Sequence, residues 1–274
     1  MEGTSVQFSK EITGPVAVIG DVHGQVDQLR TVLQQLAELP DYERRWIVFI
    51  GDLVDRGPDP KGALELILDT IRHHERTTLV CGNHEYAMSA ALNLIQTPEY
   101  CDWPARWLDH YGSQTTFQSY GVSEFGNLDA LRRQLPESHQ DLLSDVPWCV
   151  EHPEYFFVHA GLDTAAPFEL QRAILHERDF TLTRPQWLCS KGLTFQPPPR
   201  DCSRIVVSGH VRVPQVTFGP KRLLIDTSGG EGGVLSCVLL PENKVIHSDL
   251  ATTPAITTAL PPPLPDPKRK RWIW

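Results

Sequence analysis

Asp21 and His23 stand two apart in Gly20-Asp21-Val22-His23-Gly24, where a turn can point both side chains at one cation. Asp52 and Asp55 follow in Gly51-Asp52-Leu53-Val54-Asp55-Arg56-Gly57, Asn83 and His84 in Gly82-Asn83-His84-Glu85, His159 before Ala160-Gly161, and His210 after Ser208-Gly209. Carboxylate, imidazole and amide oxygen without a thiolate suit manganese, iron or zinc in a reactive site, and do not make a structural zinc site. A carboxylate such as Asp52 has two oxygens and can bridge two cations. With two cations ~3.5–4 Å apart, a bridging water ionises near neutral pH and the pair clamps both attacking and leaving oxygens. Each fragment alone is a weak signal, since Asp-x-His and Gly-Asn-His both occur by chance. Their joint occurrence, in order, carries the chemistry.

Those clusters need elements to position them. Val16-Ala17-Val18-Ile19, Trp46 to Ile50, Thr78-Leu79-Val80, Tyr155 to Val158 and Arg204 to Val207 are short apolar runs rich in Val, Ile and Phe. They read as buried strands, and each runs directly into one of the polar clusters. Val26 to Leu39 and the stretch through Ala63, Leu64, Ile67, Leu68 and Ile71 have helical spacing, and Pro40 stops the first. Continuous apolar strands separated by helices predict an α/β core with its sheet covered on both faces. In such sheets ligands bind beyond the carboxyl ends of the strands, so five strands bring Asp, His and Asn side chains to one rim. Leu223-Leu224-Ile225 adds a strand, and Val234 to Val245 a hairpin turning at Pro241-Glu242-Asn243. Residues 86–147 break the rhythm with Trp103, Trp107, Tyr111, Phe117 and Tyr120, and read as a helical insert.

These motifs resemble the calcineurin-like metallophosphoesterases, and within them the bacterial branch of the serine/threonine phosphoprotein phosphatases. That family's pattern is Gly-Asp-x-His-Gly, Gly-Asp-x-x-Asp-Arg-Gly and Gly-Asn-His-Glu followed by two separated histidines, and the chain matches every position. The resemblance implies a four-layer α-β-β-α sandwich of two mixed sheets flanked by helices. It implies that Asp21, His23 and Asp52 hold a first divalent metal and Asp52, Asn83, His159 and His210 a second, with manganese first and iron or zinc as alternatives. His84 would be the general acid for the leaving oxygen, oriented by Asp55, and Arg56 would hold the phosphate. The Asp55 position carries a metal-binding tyrosine in the related purple acid phosphatases, so aspartate there points away from an iron–tyrosinate site. An imidazole backed by a carboxylate gives a proton to a departing alkoxide better than an isolated neutral one. A second phosphate clamp is expected at Arg178, in a stretch similar to the branch's Leu-Trp-x-Arg segment with His176 in place of tryptophan; Arg212 competes for that role. Cys81, where eukaryotic enzymes carry arginine, and the Trp107 to Gly121 segment favour the bacterial branch. Asp226-Thr227-Ser228-Gly229 resembles its closing motif, with a structural role. Glu85, beside the expected acid, is left between a supporting role, an ion pair and a helix cap.

The chain of 274 residues, with 41% hydrophobic and 22% charged residues, has ordinary globular composition, which excludes a disordered or collagen-like protein. Its formal net charge of −9 argues against non-specific binding to nucleic acid or an anionic membrane. No apolar run approaches the ~18 residues of a membrane span. Met1 to Pro15 lacks a secretory pattern, so a cytoplasmic location is expected. Cys81, Cys101, Cys149, Cys189, Cys202 and Cys237 form no Cys-x-x-Cys pair and are expected as free buried thiols. His73-His74 is expected at a solvated helix end. Residues 1–250 read as one catalytic domain, and 251–274 as a proline-rich, basic, weakly ordered tail. The leading expectation is a phosphatase acting on phosphoserine and phosphothreonine in phosphorylated proteins or peptides, with phosphotyrosine left open. The competing one is hydrolysis of dinucleoside polyphosphates such as diadenosine tetraphosphate. A non-catalytic scaffold is disfavoured by the complete ligand set.

Overall fold

The computed structural model describes residues 7–230, 232–250 and 256–258. The strands are β1 (Val16–Ile19), β2 (Trp46–Phe49), β3 (Thr77–Leu79), β4 (Cys149–Glu151), β5 (Tyr155–Val158), β6 (Ile205–Ser208), β7 (Val216–Gly219), β8 (Arg222–Leu224), β9 (Ser236–Leu240), β10 (Lys244–His247) and β11 (Ile256–Thr257). They form two mixed sheets, ordered β10-β9-β1-β2-β3 and β11-β7-β8-β6-β5-β4. In the first, β1, β2 and β3 run parallel and β9 lies antiparallel against β1. In the second, β5, β6 and β8 are parallel, with β4 and β7 antiparallel on either side.

The two-residue period of a strand builds the layers. Val16, Val18, Val48 and Ile50 meet Phe157, Val207, Leu223 and Ile225 in the core between the sheets. The alternate residues Ala17, Ile19, Ile47, Phe49, Phe156, Val158 and Val206 turn outward to a second cluster shared with the helices. Helices α1 (Val26–Ala37) and α2 (Pro60–His73) bring Leu29, Val32, Leu36, Ala63, Leu64 and Ile67 to it. Asp59 caps α2 by accepting the Gly62 N–H at 2.9 Å, with Pro60 in the first turn. The result is the expected four-layer α-β-β-α sandwich.

The insert contains α3 (Asn83–Ala91), α4 (Trp103–His110), α5 (Gln114–Ser119), α6 (Leu128–Gln134) and α7 (Glu137–Asp145). Trp103, Trp107, Phe117 and Trp148 belong to the same apolar cluster as α1 and α2, so this segment shares the core. After β5 come α8 (Phe168–Glu177) and the single turns α9 (Gln186–Cys189) and α10 (Lys191–Thr194).

Strands β4, β7 and β11 were not anticipated from the sequence; β7 lies between Pro214 and Pro220. The tail expected over 251–274 lies outside the described residues except at 256–258, where β11 pairs in parallel with Val216 and Thr217. All six cysteines are free and buried. His74 is not solvated: it is buried, its Nδ1 on the Thr77 hydroxyl and its Nε2 on the Tyr42 carbonyl, while His73 stays exposed. No helix among the described residues is long and apolar enough to cross a membrane.

Candidate active site

The loops leaving β1, β2, β3, β5 and β6 converge on one rim. Val22 and His23 donate their backbone N–H groups to the Asp52 carbonyl at 3.0 and 2.8 Å, locking the first loop on the second. His23, Asp52, Asp55, Arg56 and His210 all hold left-handed backbone, with φ of 44°, 52°, 67°, 62° and 69°. Each such non-glycine residue costs roughly 1 kcal/mol or more, which the packed loops around it must offset, and such residues concentrate at reactive sites. Gly82 has no room for a side chain: a Cβ there would lie 2.2 Å from the Asp52 carboxylate and backbone.

Asp52 sits at the middle of the cluster. Its Oδ2 is 3.2 Å from His159 Nε2, 3.6 Å from His23 Nε2 and 3.8 Å from His84 Nε2, and its Oδ1 accepts the His84 backbone N–H at 3.1 Å. His159 Nε2 is also 3.2 Å from Asn83 Oδ1. The inward faces of the imidazoles are set from behind. His23 Nδ1 donates to the Val54 carbonyl at 2.9 Å and His159 Nδ1 to the Ile50 carbonyl at 2.8 Å, so each presents Nε2 to the centre. Asp21 joins them through Oδ2, which accepts the His210 backbone N–H at 2.9 Å, while the Ser228 hydroxyl donates to the Asp21 carbonyl at 2.7 Å.

Three residues outside the expected set shape this centre. Glu85, which the sequence left open, is fully buried and accepts backbone N–H groups from Gly82, Asp52, Leu53 and Val54 at 3.0, 2.8, 2.7 and 3.3 Å. It caps α3 and clamps the Asp52 loop with one carboxylate. Trp107 Nε1 at 2.9 Å and the Thr116 hydroxyl at 2.6 Å donate to Asp55, whose Oδ2 receives His84 Nδ1 at 2.8 Å. These contacts span 52 and 61 residues of sequence, beyond any local motif; the only trace of them was the aromatic character of the insert.

Electrostatics follow from packing acids and imidazoles in a dry place. Burial and the neighbouring Asp226 push the Asp21 carboxyl well up. Burial works the same way on Asp52, but His159 and His84 overcome it and hold that carboxyl well below the usual range. His159 is raised to about 10, Asp52 outweighing burial. His23 is lowered by burial and His84, and His210 falls to about 3 through burial and His159.

Ligand atoms of His23, Asp52 and His84, and of Asp52, His159 and His210, form two groups, each within 4.8 Å and sharing Asp52. Among the described residues Asp21 Oδ1, His84 Nε2 and both His210 ring nitrogens are buried without a hydrogen-bond partner. Buried polar atoms left unpaired are costly, so a donor set with these orphans fits divalent cations. Asp21, His23, Asp52, Asn83, His159 and His210 are the residues that would hold them. His84 differs from them in having a carboxylate behind its Nδ1.

Arg56 reaches the rim, its guanidinium 3.2 Å from His23 Nε2 and 3.0 Å from the Gly229 carbonyl. Arg178 does not. It ends α8 at φ 54° and turns to α7, donating to the Ser144 and Val146 carbonyls at 3.1 and 3.3 Å and pairing with Asp145 at 3.1 Å. The expected clamp at Arg178 is therefore corrected: the left-handed cap aims the side chain away from the cleft. Arg212 does line the cleft, as do Arg106, Arg184 and Lys191, which sequence reasoning missed.

A family-wide profile described as calcineurin-like phosphoesterase matches residues 14–232, which includes every strand that feeds the rim. The chain belongs to the calcineurin-like phosphoesterases. Among curated relatives of this phosphoesterase, a symmetrical bis(5'-nucleosyl)-tetraphosphatase of Vibrio cholerae is 26% identical over 174 residues, 62% of this chain and 53% of the relative. The catalytic subunit of serine/threonine-protein phosphatase 4 from Candida glabrata is 39% identical over 72 residues, 26% of this chain and 22% of that one. The chain thus spans about half the length of the tetraphosphatases it matches, and less of the phosphatases. A solved structure described as a putative diadenosine tetraphosphatase superposes with a TM-score of 0.56 at 20% identity, covering 88% of this chain and 97% of that one, which shows a shared fold.

Proposed function

We propose that this phosphoesterase hydrolyses phosphomonoesters of serine and threonine side chains in phosphorylated proteins, with phosphotyrosine a further substrate. Bound divalent cations would supply Lewis-acid polarisation of the phosphoryl group and activation of water. The chain's own residues do the rest. Arg56 offers a guanidinium fork to phosphoryl oxygens. The buried rim, with Asp52 and His84 nearly without exposure, keeps bulk water from the reacting atoms.

The observation that carries the reading is the His84–Asp55 pair. Its Nδ1 is tied to Asp55 and its buried Nε2 has no hydrogen-bond partner among the described residues, so it can hold a proton for a leaving oxygen. A seryl or threonyl alkoxide needs that proton, whereas a nucleotide departs as a stable phosphate anion. The cleft supports the same choice. Trp103 and Tyr111, which line it, are only 1% and 9% exposed, so neither of these large rings offers a free face to a base.

Hydrolysis of dinucleoside polyphosphates is the second reading, favoured by the longer sequence match to a tetraphosphatase. The separating experiment is a panel with added manganese: aryl phosphate, phosphoserine, phosphothreonine and phosphotyrosine peptides, and diadenosine tetraphosphate. We expect phosphate release from the aryl ester and the peptides. Turnover confined to the dinucleotide would overturn the proposal.

A further inference from the structure

The cleft carries more positive charge than one phosphoryl group occupies. The chain has a formal net charge of −9, yet this cleft of about 960 Å³ is lined by Arg56, Arg106, Arg184, Lys191 and Arg212 against two carboxylates, Asp52 and Asp226. Elsewhere, semi-buried arginines take carboxylate partners: Arg45 with Asp41 and Glu242, Arg172 and Arg204 with Glu151, Arg178 with Asp145. Among the described residues none of the five cleft cations makes such a pair. A local excess of cations on an anionic protein is a field focused on the cleft mouth.

These cations are held individually and loosely. Arg56 is engaged at the centre through His23 and Gly229. Arg106 rests its guanidinium 5.6 Å from the Trp103 ring centroid, Arg184 donates to the Cys189 carbonyl at 3.0 Å, and Lys191 is exposed, its ammonium making no hydrogen bond among the described residues. Arg106 comes from α4, and Arg184 and Lys191 from the segment after α8, so they stand on different stretches of chain beside the cleft. Carboxylates spaced along a peptide can reach cations arranged in this way.

Resting on the phosphopeptide reading, we propose that Arg106, Arg184 and Lys191 form an outer recognition surface for acidic side chains flanking the phosphorylated residue, so that acidic phosphopeptides are the preferred substrates. Exposed ion pairs each contribute a factor of about 1.5 to 5, so three together give on the order of tenfold. Their screening length is about 8 Å at physiological salt, which makes the preference salt-dependent.

The test uses the full chain with manganese and three phosphoserine peptides that differ only in their flanking residues: glutamate, glutamine or lysine. kcat/KM is expected to fall in that order, with about tenfold between glutamate and glutamine, carried by KM and shrinking as salt rises from ~0.05 M to ~0.5 M. In the Arg106→Gln/Lys191→Gln double variant the glutamate-to-glutamine ratio should fall to within about twofold of one. Equal or inverted values in the wild type would overturn the inference while leaving phosphopeptide hydrolysis standing. A preference retained in the double variant would overturn its assignment to these residues. Cleavage of diadenosine tetraphosphate with no release from any phosphopeptide would overturn the underlying reading.

Discussion

Replacing Asp55 by Asn removes the charge behind His84 and leaves the side chain's size unchanged. Three donors converge on this buried carboxylate: His84 Nδ1 at 2.8 Å, Trp107 Nε1 at 2.9 Å and the Thr116 hydroxyl at 2.6 Å. An amide offers them one oxygen and turns its own N–H groups toward at least one of them. Unit charges about 4 Å apart attract by about 4 kcal/mol at an effective dielectric near 20. A hydrogen bond to a charged group contributes about 1.5–3 kcal/mol. A loss of roughly 2–4 kcal/mol in holding the proton-bearing imidazole slows proton-dependent leaving by about 30- to 1,000-fold. The assay compares kcat for a phosphoserine peptide with kcat for a nitrophenyl phosphate, whose phenolate leaves without a proton. The expected outcome is the full loss on the alkyl ester and less than about tenfold on the aryl ester, with metal content unaltered. Equal losses on both esters would show that Asp55 serves position or stability and not the proton, and would refute the assignment of His84 as acid.

Glu85→Gln should destabilise the fold by about 2–4 kcal/mol in urea denaturation, because an amide cannot satisfy the backbone donors gathered on that buried carboxylate. A change under about 0.5 kcal/mol would mean those bonds are not needed to hold the Asp52 loop. Arg178→Ala should leave KM for aryl phosphate unaltered and lower stability by about 1–2 kcal/mol, since the guanidinium braces carbonyls at the end of α7. Alanine bears the same left-handed strain as arginine at this φ, so the difference reports the guanidinium alone; a raised KM would return Arg178 to the cleft.

Much of the rim was legible because each fragment is contiguous with the strand that delivers it. Val16 to Ile19 cannot be a buried strand without placing Asp21 and His23 just past its end, and the same holds for Asp52, Asn83, His159 and His210. Side-chain direction was not legible where one backbone dihedral decides it. Arg178 lies in a segment of the right kind, but its left-handed cap turns it to Ser144 and Asp145. Support from far along the chain was equally hidden: Trp107 read as an aromatic residue of the insert, Thr116 drew no reading, and only folding brings them to Asp55. Glu85 showed its acidic character but not its partners, which are backbone groups with no sequence identity to read.

Strand β1, which feeds Asp21 and His23, lies between β2 and β9, and Gly20 donates its N–H to the Ser236 carbonyl at 2.9 Å. The first segment of the candidate rim is therefore flanked by a strand translated only after β2 to β8. A nascent chain that has emerged only through β8 has its β2 and β3 neighbours but an open edge along β1. It also lacks the partner that steadies the turn after Ile19. Assembly of the rim is thus postponed until β9 has left the ribosome and closed that edge.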